Sequence, residues 1–212
     1  MLVVAGSAVA LAAAAIAFRT WFGLDVNPSA AKSPVPVASR PYSRSTDDGR
    51  NEEKKRALAD KLRSGDGRER MKAIDALGAY RDEKSAGILI GRLAEEGDIF
   101  VKVRIVGELG HYDLPLARDA VMRLLDEDRN PEIRKEAAWS LDPEKDEAAL
   151  DALAARLQKE PDRDVRSIIV MKLGRKENQR MMDALKKWFY REPDFELKQK
   201  IGEIISGRDW HT

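Results

Sequence analysis

The stretch NPEIRKEAAWSL, residues 130–141, is followed 32 residues later by DRDVRSIIVMKL, residues 162–173, and preceded at the same distance by DIFVKVRIVGEL, residues 98–109. The register extends outward to DGRERMKAIDAL at 66–77 and DFELKQKIGEII at 194–205. Its marker positions are Leu77, Leu109, Leu141, Leu173 and Ile205. Eleven residues before each marker stands Asp66, Asp98, Asn130, Asp162 or Asp194; seven before stands Arg70, Lys102, Arg134, Arg166 or Lys198; four before stands Ala73, Ile105, Ala137, Ile169 or Ile201. A fixed period with the same chemistry in every column is the signature of a stacked repeat.

Each column has a physical reading. A short polar side chain eleven residues ahead of the marker suits a helix N-cap, where it accepts hydrogen bonds from otherwise unpaired backbone N–H groups. The columns at −8 (Val101, Ile133, Val165, Leu197, with Glu69 the exception), −4 and 0 fall on one face of a helix. Gly78, Gly110 and Gly174 follow the marker and are expected to end the helix in the left-handed conformation. A second helix follows, with Leu89, Val121, Leu153 and Leu185 in one column and Leu93, Leu125, Leu157 and Phe189 four residues on. A unit of helix, turn, helix and turn cannot bury its apolar face alone, so stacking on its neighbours supplies the core. The fold class expected is therefore all-α, an α-α superhelix of four to five helical hairpins. Its repeats lie near 66–97, 98–129, 130–161 and 162–193, with a terminal helix at 194–207 and an opening, capping helix near Glu52–Arg63.

The segments Asn130-Pro131-Glu132-Ile133-Arg134 running to Ala137-Ala138, and Asp162-Arg163-Asp164-Val165-Arg166, resemble HEAT repeats of the short class also found in phycobilisome lyase-type proteins. The resemblance covers residues 52–207. It implies a polar ladder of the Asp and Arg columns between successive repeats, and a concave side lined by the helix that carries the Arg. The Trp/Leu-Gly/Tyr/Pro spacing of tetratricopeptide repeats and the Thr-Pro-Leu-His of ankyrin repeats are absent from the sequence. HEAT arrays serve unrelated partners, so function has to be argued from the residues of a site.

Composition agrees with a helical array: 35% of residues are charged, 6% are aromatic and none is cysteine. Without cysteine there is neither a disulfide nor a thiolate metal site. A formal net charge of +1 opposes a nucleic-acid partner. The charge is uneven, since residues 51–162 carry 21 Lys/Arg against 26 Asp/Glu, and residues 163–212 carry 12 against 8.

Ahead of the repeats, residues 1–24 contain the apolar run Leu2–Phe18, closed by Arg19 and followed by Trp21 and Phe22. The run is just long enough to span a bilayer, and the aromatic pair suits an interface, so the segment reads as a membrane anchor. Ala15-Ile16-Ala17 fits a signal-peptide cleavage pattern, which leaves a cleaved export signal as the alternative. Residues 25–50, with Pro28, Pro34, Pro36 and Pro41 among Ser, Ala and Arg, read as a linker with too few large apolar residues to form a core. Arg19, Lys32, Arg40 and Arg44 follow the run, which by the positive-inside rule faces the domain to the cytoplasm. The layout of apolar start, spacer and soluble domain instead favours a membrane-anchored or secreted protein with an extracytoplasmic domain, and that is the placement expected.

The sequence carries few groups suited to catalysis. His111 and His211 are the two histidines, and no His-Glu pair recurs in the repeat as it does in metal-binding HEAT hydroxylases. No phosphate loop, nucleophile elbow or zinc spacing is present. No catalytic residue, metal or cofactor is expected. The informative positions are those where the repeat departs from its own rule. The columns at −9, −6, −5 and −2 should point away from the core, yet in the middle repeats they hold Phe100, Val103, Trp139, Ile168 and Met171, with Arg104 beside them. Large apolar side chains on solvent-facing columns of successive repeats predict a patch that binds a partner protein. A second cluster, Trp188-Phe189-Tyr190, has Phe189 in a core column, so its neighbours are expected to pack on the next repeat. The function expected is a non-catalytic scaffold or adaptor that binds a partner protein on its concave face. The alternative implied by the resemblance is an accessory similar to bilin lyases, with the apolar patch holding a tetrapyrrole or a client protein.

Overall fold

The structure, a computed structural model, describes residues 46–175 and 178–207. Among them are ten α-helices and no strand. They are α1 (Thr46–Leu62), α2 (Gly67–Gly78), α3 (Glu83–Glu95), α4 (Ile99–Leu109), α5 (Pro115–Glu127), α6 (Pro131–Ser140), α7 (Glu147–Leu157), α8 (Arg163–Leu173), α9 (Gln179–Phe189) and α10 (Phe195–Ile205). The opening helix starts at Thr46, ahead of the expected Glu52.

The polar column starts each marker helix as its chemistry requires. Asp66, Asp98, Asn130, Asp162 and Asp194 all sit at N-cap positions in extended backbone, and their side chains accept from backbone N–H groups two or three residues on. Pro115 and Pro131 occupy first-turn positions, where a missing N–H costs nothing. Asp82 and Ser85 cap α3 reciprocally.

The helices form two layers. In one, α2, α4, α6 and α8 pack each on the next; in the other, α1, α3, α5, α7 and α9 do the same, and α10 closes the array against α9. The first layer is the more closely packed, which places it on the inner side of the stack. The core runs between the layers. Leu77, Leu109 and Leu173, Ile105 and Ile169, Val101 and Val165, and Leu89, Val121, Leu153 and Leu185 all retain 1% exposure or less. Each such Leu or Ile contributes about 1.5–3 kcal/mol through burial. The side chains three residues before the marker (Ile74, Val106, Ala138, Val170) are buried too, widening the apolar stripe of each inner helix.

The glycines after the markers do not take the expected left-handed turn. Gly110 has φ −62° and Gly174 φ −86°, both in right-handed helical territory. Their reason is space: a Cβ at Gly78 would collide with the Glu108 carboxylate, one at Gly110 would lie 2.5 Å from Ser140 Cβ, and one at Gly174 2.8 Å from Ile204 Cδ1. Each glycine receives the side chain that precedes the next repeat's marker. In the one repeat with Asp142 at this position, the side chain sent across is Lys172, and the two charges attract.

The apolar run Leu2–Phe18 and the linker up to residue 45 lie outside the described residues. Within them, no helix is long and apolar enough to cross a membrane.

Candidate functional site

The edge where one repeat passes to the next carries a buried ion network. Arg134 sits on α6 and faces two loops at once. Its Nη1 donates to the carbonyls of Asp128 and Arg129 at 3.0 Å each in the loop entering its own repeat. Its Nε and Nη2 grip Glu160, in the loop leaving it, at 2.9 and 2.7 Å. Arg156 adds a 2.7 Å contact to Glu160, whose other oxygen accepts the Asp162 N–H at 2.8 Å. Burial pushes the Glu160 carboxyl up, but the hydrogen bonds from Arg134, Arg156 and the Asp162 backbone outweigh it and hold its pKa at about 2.

The same rung recurs as Arg166–Glu192 at 2.9 Å and Arg70–Glu96 at 3.1 Å, with Trp188 Nε1 donating to Glu192 at 2.7 Å where Arg156 donates to Glu160. This is a ladder between successive repeats, as the resemblance implies, but the acid that grips the Arg is a buried Glu two residues before the capping Asp. Those glutamates were not singled out from the sequence, although Glu96, Glu160 and Glu192 stand on the same 32-residue register. Every carboxylate oxygen of the network accepts from backbone, a guanidinium or the Trp188 indole within the fold, so the network organises loops and has no acid left to bind a ligand.

The inner helices present the surface where a partner-binding patch is expected. The structure divides its predicted residues. Phe100, in the first turn of α4, is 75% exposed, and Trp139, in the last turn of α6, is 52% exposed. Val103 and Ile168 are half-buried and pack against the core, and Met171 is half-buried in the last turn of α8. Arg104 and Trp139 meet in one groove of about 220 Å³, lined also by Glu108, Glu136, His111 and Ser140. Phe100 and Val103 lie toward the opposite end of α4. On α6, Lys135, paired with Glu132 at 2.6 Å, and Glu136 stand between the register positions of Val103–Arg104 and Ser167–Ile168. The surface is therefore two apolar spots separated by charge, in place of the continuous patch expected.

The groove around Trp139 is electrostatically organised. Arg104 holds Asp75 at 2.6 Å and Glu108 at 2.9 Å, spanning α2 and α4. Lys172 Nζ lies 5.5 Å from the centre of the Trp139 ring, and this lysine is itself buried. Burial, followed by repulsion from Arg175, pulls its pKa down. Glu136 is pushed up by burial, against the opposing pull of Arg104, His111 and Lys135. The arrangement offers an indole face, a cation and a carboxylate side by side, which suits a peptide carrying both charge and apolar surface. Glu136, His111 and Lys172 were not among the predicted site residues; only their columns beside Trp139 mark them. In the second cluster, Trp188 is buried and Phe189 half-buried under Lys198, as expected, whereas Tyr190 is 82% exposed. Among the described residues no group of His, Asp or Glu side chains is gathered so as to hold a metal.

Comparison with known proteins bears on the fold. A family profile described as HEAT repeats matches residues 89–174. A chain in the structure of the complex of CpcE and CpcF of phycocyanin lyase from Nostoc sp. PCC7120 superposes with a TM-score of 0.51 at 18% identity, covering 86% of this chain and 70% of that chain. At that identity the likeness concerns the fold. Among curated proteins none matches the sequence. The 32-residue register, the two-layer helical stack and the family profile agree: the fold is a HEAT-like α-α solenoid, and residues 89–174 match HEAT repeats.

Proposed function

We propose that this HEAT array is a non-catalytic scaffold that holds a helix or extended segment of a partner protein along its inner helices, with Trp139 as the anchor. One observation carries the reading. A tryptophan that is half exposed stands on the inner layer of a stack whose other tryptophan in the described residues, Trp188, is buried. Exposed Trp beside Arg104 pairs two of the residue types enriched at binding hot spots. Phe100, at 75% exposure, supplies a second apolar contact further along the same layer. The apolar run Leu2–Phe18 and the Pro-rich segment behind it serve in this reading to hold the array at, or deliver it across, a membrane, with the repeats on the extracytoplasmic side; a reporter fused to the C-terminus reads that orientation.

The test is crosslinking and affinity capture with the full chain from its native cell extract, run beside Trp139→Asp and Tyr190→Asp. Trp139→Asp is expected to weaken capture of the partner at least about tenfold while changing stability by less than about 1 kcal/mol. Tyr190→Asp is expected to capture normally. Equal capture by wild type and Trp139→Asp, or cooperative unfolding of that variant, defeats the reading. Visible absorbance that co-purifies with the chain and is lost in Trp139→Asp would replace it with the pigment-handling accessory role that the phycocyanin lyase likeness suggests.

A further inference from the structure

The turn edge of the array, opposite the Arg–Glu ladder, contains a vacancy that its own repeat pattern describes. Three residues after the marker stand Tyr80, Tyr112 and Glu144. Tyr112 belongs to the turn of the second repeat but reaches back into the first. Its hydroxyl donates to the Leu77 carbonyl at 2.9 Å and lies 3.0 Å from Ser85 Oγ, and only 5% of the residue is exposed. Arg81 crosses the same junction in the other direction, donating to the His111 carbonyl. The joint between repeats one and two is thus plugged by a phenol and tied by a guanidinium.

One repeat further on, the plug is missing. Glu144 takes the tyrosine's place and is exposed. The backbone diverges with it: Pro143 is incompatible with continuing the helix, and α6 stops at Ser140, with Leu141 extended at φ −82°, ψ 141°. Between the two turns lies a cleft of about 480 Å³, within the range of ligand-binding pockets. Its floor is apolar (Leu109, Leu114, Val121, Leu141, Ala149), and much of the rest of its lining is polar, with Asp113, Asp142 and Lys145 beside Arg118 and Asp146, which pair at 3.0 Å. Arg118 Nε is shielded from solvent and makes no hydrogen bond, facing Asp119 at 3.5 Å.

We propose that this cleft is a socket for a tyrosine side chain presented by a partner polypeptide. The chemistry of the occupant comes from the register. Moved by one repeat, the carbonyl that accepts from Tyr112 becomes that of Leu109, which lines the cleft, while Ser85 becomes Ala117. A guest phenol therefore enters a cleft with an apolar floor and keeps the acceptor that Tyr112 uses, a marker-leucine carbonyl, without the hydroxyl partner that Ser85 supplies. The proposal goes beyond the Trp139 reading and does not depend on it.

The test uses the full chain with methyl-labelled Leu, Val and Ala, titrated with the capped tripeptides Ac-Ala-Tyr-Ala-NH2 and Ac-Ala-Phe-Ala-NH2 and with free p-cresol. The tyrosine peptide is expected to shift the methyls of Leu109, Leu114, Val121 and Ala149 saturably, in the millimolar range that so small a ligand allows. The phenylalanine peptide, lacking the hydroxyl, should bind about fivefold more weakly. Glu144→Tyr should fill the cleft from within, raise Tm by a few degrees and remove the peptide shifts. Absence of saturable shifts in the unaltered chain overturns the proposal whether or not that variant folds. So do equal affinities for the two peptides, or undiminished peptide binding by folded Glu144→Tyr. Binding of p-cresol without binding of the tyrosine peptide rejects a polypeptide as the source.

Discussion

Repeats 98–129 and 130–161 share every apolar marker, yet they hold the loops that follow them differently. In the later repeat, Glu160 is enclosed between Arg134 and Arg156 and has a fully buried carboxylate. In the earlier one, the three equivalent positions are Lys102, Leu124 and Asp128. Lysine lacks the planar fork that grips a carboxylate bidentately, leucine brings no charge, and aspartate is one methylene too short. The rung is nonetheless dispensable there, because its backbone role survives without it: Asp128 Oδ1 still accepts the Asn130 N–H at 2.8 Å, as Glu160 accepts that of Asp162. The next repeat's Arg134 reaches the carbonyls of Asp128 and Arg129, just as Arg166 reaches those of Glu160 and Pro161. The difference separates two kinds of repeat constraint. An apolar column has to be filled in every layer, since a gap leaves a cavity; a polar rung can be dropped where a shorter acid still satisfies the backbone N–H of the cap.

The sharpest way to break this contrast is Arg134→Met against Lys102→Met. The first strands Glu160 inside the fold with half its partners and should cost about 3–5 kcal/mol in chemical denaturation. The second should cost less than about 1 kcal/mol. Near-equal losses would show that the ladder is ornamental.

Acid should expose the same asymmetry. The Glu160 carboxyl, ordinarily near 4.5, is held at about 2 in the folded chain. Its ionised form therefore supports the fold above pH 4.5, and that support is lost as pH falls toward 2, for a total of about 3 kcal/mol. Urea midpoints at pH 6 and pH 3 should diverge less in Glu160→Gln than in the unaltered chain, and an unchanged divergence would place the acid sensitivity elsewhere.

Gly110→Ala probes the contact between the two repeats. Its new Cβ would lie 3.1 Å from the Ser140 backbone as well as 2.5 Å from the side chain, so a rotamer change cannot relieve it. A loss of about 1–3 kcal/mol is expected, partly recovered by Ser140→Gly. The smallest expected effect is that of building the absent rung with Lys102→Arg, Leu124→Arg and Asp128→Glu together. The triple variant should exceed the sum of its single changes by about 0.5–3 kcal/mol, measured as a coupling energy. Simple additivity would mean that the loop of the earlier repeat cannot accept the network.

Reading the sequence recovered the fold through its apolar columns, because burial at a fixed period leaves the same side-chain types at the same spacing. The Glu column was equally periodic but sat outside the marker helix, in a loop, where no helical face drew attention to it. The glycines were legible as special and misread in cause. A glycine after a helix usually serves its own backbone, whereas Gly110 serves Ser140 of the next repeat, a contact set by the distance between stacked helices. The site was legible in its residues and not in its continuity. Phe100 and Trp139 are exposed as their columns imply, but their separation at opposite ends of neighbouring helices, with Lys135 and Glu136 ahead of Trp139 on α6, follows only from the stacking.

The linear chain by itself thus determined the period, the caps, the core columns and the all-helical class, since each rests on interactions within one or two turns of a helix or on the simple need to bury apolar surface. The tertiary structure alone decided which acid meets which guanidinium, why the glycines are glycine, that Lys172 lies beneath Trp139, and that Tyr112 fills one joint while the next stays open. Those outcomes depend on the offset between adjacent repeats, a length fixed by how side chains pack across helices, and no single repeat contains it.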